Sequence, residues 1–345
     1  LEPLESTGIY LIQRAVELLL DYFPDALAAV AELSRIGNDQ HNPGQPLHWA
    51  RGKSAEVLAQ GRGELGAHPA GLQVGRAARG EGNDQADGAR LRQGASGPQG
   101  QRLAFDEAEI RWLAPVPRPP MIRDGILLLD HYRVGMERLF KIAEKDRMPE
   151  AARSMPIFWK PSRAAVAGHM EPVRWPKYSE KLDYEFELGL YIGKAGKDIP
   201  VERAHEHIAG YTVFNDLGLR DVQPPEMSLR MGPAKSKDFA TSKIMGPYLV
   251  TADELPSVDN LRMINRVNGE VWFDGKISGW AFTFAQFIAH VSRDETVNVG
   301  DFFGSGPPAF SVGFELDRWI KPGDVVSCEI EGVGILSNTI VRETA

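Results

Sequence analysis

The chain holds one cysteine, Cys328, which excludes an internal disulfide and any cysteine-based zinc knuckle. Cys328 sits in an apolar alternating run and is expected to be a small buried core residue, not a nucleophile. No stretch approaches the roughly 18 apolar residues that a membrane helix needs. The densest short run, Gly125–Leu129, is far too short, so no membrane contact is expected. Basic residues do not dominate either. Against 47 Asp and Glu stand 39 Lys and Arg, a formal charge of −8, which argues against a general nucleic-acid binder. A signal peptide would open with basic residues, but Glu2 and Glu5 stand there, so a reducing cytoplasm is the expected compartment. Leu1 instead of Met opens the chain, which leaves a fragment boundary open. Three nucleophile and nucleotide motifs are missing as well. Gly193-Lys194-Ala195-Gly196-Lys197 lacks the spacing and hydroxyl of a phosphate-binding loop, and no Gly-x-Ser-x-Gly elbow occurs. His205-Glu206-His207 is not His-Glu-x-x-His, and it reads as a surface segment.

The 345 residues, 43% of them hydrophobic, suffice for a sizeable core. They are unevenly distributed. Ile9–Leu33 has helical spacing broken near Pro24, so residues 1–36 are expected to form a helical segment. Residues 37–104 then turn glycine-rich. Asn38–Arg102 contains no Ile, Phe, Tyr or Met, and so cannot bury enough apolar surface to offset its ordering entropy. Two readings stay open there: a long disordered insertion, or a stretch translated out of frame. Residues 105–345 read as the catalytic domain, entered through the Pro-rich linker Ile110–Pro120.

Within that domain strands outnumber helices. Asp183–Ile192 alternates, Val201–Ala209 reads as a short helix and Gly210–Phe214 as a strand. Val258–Phe273 carries strands with Asp274–Gly275 as a hairpin-type turn, and Phe282–Val291 reads as a helix. Val325–Ile330 and Ile335–Val341 form a closing strand pair. Without a βαβ rhythm the expected class is α+β, a mixed curved β-sheet forming a roll or barrel-like fold with a few peripheral helices. The aromatic pairs Trp272/Phe273 and Phe302/Phe303 are expected in the core.

One segment carries chemistry. In a strand, Glu185 and Glu187 point to the same side while Tyr184, Phe186 and Leu188 cover the other. Like charges so placed repel unless a cation or solvent relieves them. Asp216 follows the apolar strand Tyr211–Phe214. Three carboxylates without Cys or His suit a hard ion such as Mg²⁺, Mn²⁺ or Ca²⁺. The bland alternative is a solvated strand face.

The segments LDYEFELGLYIGKAGKDIP, GYTVFNDLGLRD, GPAKSKDFATSKIMGPYLVT and IKPGDVVSCEIEGVGILSNTIV together resemble the fumarylacetoacetate hydrolase family, from about Leu113 to Val341. The resemblance implies Glu185, Glu187 and Asp216 as metal ligands, joined by Asp124, which precedes His131 by the family's seven residues. It implies His131 as general base and Glu315 as the acid that orients it. Lys237-Asp238-Phe239-Ala240-Thr241 is similar to the family's KSFDT, with Asp238 and Ala240 as departures. Lys235 offers a second register. Lys237 is implied as catalytic and substrate-binding, with Arg220, Gln223 and Thr241 lining the substrate cleft. Taken alone, His131, Lys237 and Glu315 have surface or structural readings. A second departure is the absence of an Asn-Tyr pair before His131, where Leu127–Leu129 and Asp130 stand; the apolar stretch marks a specialised pocket or a damaged lip. Pro156–Ser162 matches the family strand that leads to the cleft.

The implied activity is hydrolysis of a C–C bond in a 1,3-dicarbonyl or 2-oxo acid, an acylpyruvate or fumarylacetoacetate-like compound, through an enolate held by the metal. The implied partner is a small-molecule 2-oxo acid, and the implied assembly is a homodimer. A lyase or isomerase of the same fold, such as an oxaloacetate decarboxylase or 2-oxo acid hydratase, is the alternative, and an inactive homologue the third reading.

Overall fold

The structure is a computed structural model that describes residues 50–51 and 111–342, apart from 144, 145, 147 and 230. The expected helical segment over 1–36 lies outside the described residues. Of the glycine-rich 37–104, only the two-residue strand Ala50–Arg51 is described, paired parallel with Leu249 and Val250.

Two mixed sheets form the body. The larger runs in the order Ala50–Arg51, Lys243–Thr251, Ile208–Asp216, Phe186–Ile192, Phe302–Gly304, Ile122–Gly125 and Phe158–Trp159, with Val166–Ala167 also on Lys243–Thr251. The second runs Glu270–Lys276, Arg262–Val267, Val325–Ile330, Gly334–Val341 and Val173–Arg174. Bulges interrupt the ladders near Gly246 and at Tyr191/Ile192, which bends the strands. Helices are few and short; Leu129–Arg138 and Phe284–Val291 are the longest of those described. This is the expected α+β architecture with a curved mixed sheet.

Phe186–Ile192 shows why the large sheet is central. All seven of its residues are buried. Phe186, Leu188, Leu190 and Ile192 enter the main core, while Tyr191 on the opposite side packs in a second cluster with Phe214 and Phe302. A strand covered on both faces leaves no solvated side, so the surface reading of Glu187 is excluded. Phe302 and Phe303 are fully buried in those two clusters, and Trp272 and Phe273 pack against the main core. Cys328 is buried, and burial pushes its thiol up to about 12.

Three local expectations need correction. The hairpin turn is Asn268–Gly269, both at positive φ, between the paired residues Val267 and Glu270. Asn-Gly suits a two-residue turn of this kind, whereas Asp274 and Gly275 lie inside the strand and Asp274 binds Arg262 across the ladder. Val201–His207 is a 3₁₀ helix, and Ile208 already begins the next strand. His205 is exposed as expected, but His207 is buried and donates from Nδ1 to the Lys194 carbonyl at 2.7 Å. The closing pair Val325–Ile330 and Gly334–Val341 is present, and Thr283 with Gln286 caps the Phe284–Val291 helix reciprocally.

Gly189 stands in the central strand beside Phe302, and a Cβ there would overlap the Phe302 ring. We expect Gly189→Ala to destabilise the fold by about 1–3 kcal/mol through overpacking, despite alanine's lower unfolded-chain entropy. A urea unfolding series measures this, and an unchanged midpoint contradicts it.

Candidate active site

Neighbouring strands of the large sheet deliver the site. Asp124 comes from Ile122–Gly125, Glu187 from Phe186–Ile192, Asp216 from the end of Ile208–Asp216, and Lys243 from the start of Lys243–Thr251, directly opposite Asp216. Between the strands of Asp124 and Glu187 runs Phe302–Gly304. Gly304 pairs with Asp124 in register, and a Cβ there would overlap Asp124 Oδ1 and lie 3.1 Å from Glu187 Oε2. Only glycine keeps this floor open.

Asp124, Glu187 and Asp216 are buried, and each offers a carboxylate oxygen within 4.8 Å of the others. Asp124 Oδ2 accepts from Trp159 Nε1 at 3.0 Å and Glu187 Oε2 from the Gly306 amide at 2.8 Å. Asp124 Oδ1 and Glu187 Oε1 are buried with no hydrogen-bond donor among the described residues. Burial and the Asp216 charge push the Asp124 carboxyl up to about 8. Burial, then Asp124 and Asp216, raise Glu187 well above its ordinary value. Such oxygens call for a proton or a cation, and an all-carboxylate donor set suits a hard divalent ion.

Glu185 lies one step away. Its carboxylate takes Arg220 Nη2 at 2.7 Å and Lys237 Nζ at 2.7 Å. Although burial alone would raise it, Lys237 and Arg220 hold it well below the usual carboxylate range. Lys237 Nζ also reaches Asp216 Oδ2 at 2.6 Å, so one ammonium bridges Glu185 to the triad. Lys237 is buried, and Asp216 and Glu185 raise it against the pull of desolvation. Lys235, the competing register, is exposed and donates to the Asp238 carbonyl.

Arg220 is buried and engaged on three nitrogens. It donates to Asp183 at 2.9 Å, Gln223 at 2.8 Å and Glu185 at 2.7 Å, and lies 4.6 Å from the centre of the Phe314 ring. Arg220 and Gln223 are thus together with Glu185 and Lys237. Thr241 is not joined to them by hydrogen bonds; its hydroxyl accepts from the Arg174 amide and donates to the Ala240 carbonyl.

His131 sits in the first turn of Leu129–Arg138, its Nδ1 2.9 Å from Glu315 Oε1 and its Nε2 3.9 Å from Glu185 Oε1. Glu315, in the short helix Gly313–Leu316, is buried and also accepts from the Phe310 amide. Asp130 beside it is exposed, and Leu127 and Leu128 are core residues, so the apolar stretch before His131 packs inward. A neutral imidazole that donates through Nδ1 to a fixed carboxylate presents Nε2 as a base toward the carboxylate–lysine cluster.

Sequence reasoning missed Asp183, Trp159, Gly304 and Lys243. Trp159 lies in the quoted Pro156–Ser162 stretch and Lys243 two residues beyond the Lys237–Thr241 motif, but nothing in their spacing announces contact with aspartates. Five buried carboxylates, Asp124, Asp183, Glu185, Glu187 and Asp216, face three buried basic side chains, Arg220, Lys237 and Lys243. Glu315, equally buried, pairs with His131 beside them, so the site carries an excess of acidic groups of the kind a divalent ion relieves.

A strand-built carboxylate cluster beside a His–Glu pair defines an acid–base site whose oxygen donors suit a hard cation. The profile of the "Fumarylacetoacetate (FAA) hydrolase C-terminal" domain matches residues 132–341, and the chain belongs to this family. It is 32% identical to a mitochondrial oxaloacetate tautomerase of Xenopus laevis, covering 73% of this chain and 77% of that one. It is 30% identical to the oxaloacetate tautomerase YisK of Bacillus subtilis, over 68% and 75%. Among solved structures it is similar to a fumarylacetoacetate hydrolase of Exiguobacterium antarcticum, with TM-score 0.57, 27% identity, and 70% and 81% coverage. A probable 2-hydroxyhepta-2,4-diene-1,7-dioate isomerase of Mycobacterium abscessus gives TM-score 0.55, 26% identity, and 67% and 79% coverage. These relatives support an enzyme acting on a small molecule. Among the described residues no helix is long and apolar enough to cross a membrane.

The raised carboxyls set a sign. Asp124 holds its proton up to about 8 in the folded chain, but releases it near its ordinary value of 3.8 when unfolded. Between those values the unfolded chain binds fewer protons, so the metal-free protein loses stability as pH rises. We expect Tm of the metal-free protein to fall from about pH 6 to about pH 8.5, and Mg²⁺ or Mn²⁺ to raise Tm more at the higher pH. Glu187→Gln should remove most of the metal response. Thermal melts at both pH values measure this, and a metal response that is absent or independent of pH contradicts it.

Proposed function

We propose that this protein interconverts the keto and enol forms of a small, oxaloacetate-like 2-oxo acid by moving a proton at the carbon beside the carbonyl. The observation that carries the reading is the His131–Glu315 pair, whose Nε2 faces the Glu185–Lys237 edge of the carboxylate cluster. Relatives at about a third identity that bear the name oxaloacetate tautomerase support the same chemistry.

In this reading Glu315 keeps the His131 Nδ1 proton in place, so Nε2 is the atom that takes or returns the carbon-bound proton. The oxygen of the same carbonyl gains a proton as the carbon loses one, and the reverse step restores both. Asp124, Glu187 and Asp216 would hold a divalent ion, Mg²⁺, Mn²⁺ or Ca²⁺, with Glu185 alongside through the shared Lys237. Bound there, the ion supplies Lewis acidity to neighbouring carbonyl and carboxylate oxygens. Lys237 supports negative charge growing on the substrate oxygen. Arg220, fixed by Asp183, holds Glu185 and Gln223 in place, so that the Gln223 amide nitrogen donates toward the substrate. In this reading Thr241 would border the cleft from the Lys237 loop, with its hydroxyl already taken by the Arg174 amide and the Ala240 carbonyl.

A second reading keeps the same base. Nε2 of His131 would take a proton from water instead of carbon, and the hydroxide would cleave a C–C bond of an acylpyruvate or fumarylacetoacetate-like compound. The similarity to a solved fumarylacetoacetate hydrolase favours keeping it.

An assay panel over oxaloacetate, acylpyruvates and fumarylpyruvate with Mg²⁺ or Mn²⁺ separates the readings. Accelerated decay of the oxaloacetate enol absorbance, without pyruvate or CO₂, is expected. His131→Ala should lower kcat by about 10²–10⁴-fold, and Glu315→Gln should lower it as well. Pyruvate plus a carboxylic acid from an acylpyruvate would replace tautomerisation by hydrolysis, CO₂ from oxaloacetate would mark a decarboxylase, and no turnover at all an inactive homologue.

A further inference from the structure

Lys243 has no place in the roles above. It is fully buried, and its ammonium lies against Asp216 Oδ1. Its hydrogen bonds go to the Lys237 carbonyl at 2.6 Å and, longer, to the Ser242 carbonyl at 3.4 Å, while Asp216 Oδ1 meets it as an ion pair. The Trp159 ring sits 5.1 Å away, and the same indole donates to Asp124. The strand register places Lys243 directly across from Asp216. Lys237 occupies the other oxygen of Asp216. Both oxygens of one proposed metal ligand are therefore already in contact with an ammonium group.

We propose that Lys243 is a built-in counter-cation that lowers the site's affinity for its divalent ion and limits the cluster to one such ion. This rests on the metal reading of Asp124, Glu187 and Asp216. Two features distinguish Lys243 from a mobile surface lysine. It is anchored by the Lys237 and Ser242 carbonyls, and it is fully buried. Its charge then opposes an incoming divalent ion within a few ångströms, where even an effective dielectric near 20 leaves a repulsion larger than a tenfold effect on binding. The same charge stabilises the metal-free protein by offsetting one of the crowded carboxylates. Lys243 thereby trades tight binding for a folded, exchangeable, metal-free state.

The test is a Mn²⁺ titration of the full chain at about pH 8, followed by electron paramagnetic resonance of the free ion and by calorimetry. Wild type, Lys243→Met, Lys243→Gln and Glu187→Gln are compared. We expect both Lys243 variants to bind Mn²⁺ at least about tenfold more tightly than wild type, and to melt at lower temperature when metal-free. A Lys243 variant that folds only with Mn²⁺ present supports the proposal; one that saturating Mn²⁺ cannot rescue overturns it and makes Lys243 a purely structural residue. Equal affinity in wild type and the Lys243 variants also overturns it, while Glu187→Gln losing the ion leaves the metal reading standing. If neither wild type nor either Lys243 variant binds Mn²⁺, the metal reading itself fails and the proposal falls with it.

Discussion

Uncompensated negative charge in a dry place is the constraint on which this site depends. Carboxylates from four segments converge in the buried interior, beside only three basic side chains. Taking charged groups out of water is costly, so every oxygen there must find a donor, a proton or an ion. Arg220 and Lys237 settle Glu185, which stays ionised. Asp124 and Glu187 are left to hold protons or a metal. The cluster is thus divided into an ionised edge facing His131 and a proton- or metal-holding floor beneath it.

The sheet makes this arrangement rigid. Strands of one sheet carry the floor residues, two of them flanking Phe302–Gly304, and strand register, not loop geometry, sets their separation. Gly304 removes the one side chain that would stand between Asp124 and Glu187. The His131–Glu315 pair comes from outside the sheet, on two short helices that approach from the chain's two ends of the domain. Phe314 lies between them and Arg220, with its ring against both the imidazole and the guanidinium. The His131–Glu315 pair and the carboxylate cluster are therefore joined through the packed Phe314 ring.

Much of this was legible in sequence. Strand alternation brought out Glu187 and its apolar neighbours, the carboxylate following an apolar run brought out Asp216, and the family resemblance located His131, Glu315 and Lys237. What escaped has a common cause. Gly304 matters because of residues far away in the chain, Asp124 and Glu187, and no local pattern records that contact. Trp159 reads as one more strand aromatic, and Lys243 as a polar residue opening a strand, until pairing sets it opposite Asp216. Glu185 shows the limit of periodicity from another side. It shares a sequence pattern with Glu187, but the strand begins only at Phe186, and nearby cations draw its carboxylate into a different set of contacts. The hairpin at Asn268–Gly269 was misplaced because an Asp-Gly pair sits nearby, inside the strand, where Asp274 binds Arg262.

The central claim is that Asp124 and Glu187 hold protons that one divalent ion, bound with Asp216, displaces. Calorimetric titration of the wild-type protein with Mn²⁺ in buffers of different ionisation enthalpy, near neutral pH, tests it most directly. The account predicts one ion per chain and release of about two protons on binding, from Asp124 and Glu187. Binding without proton release, or no binding at all, would contradict it.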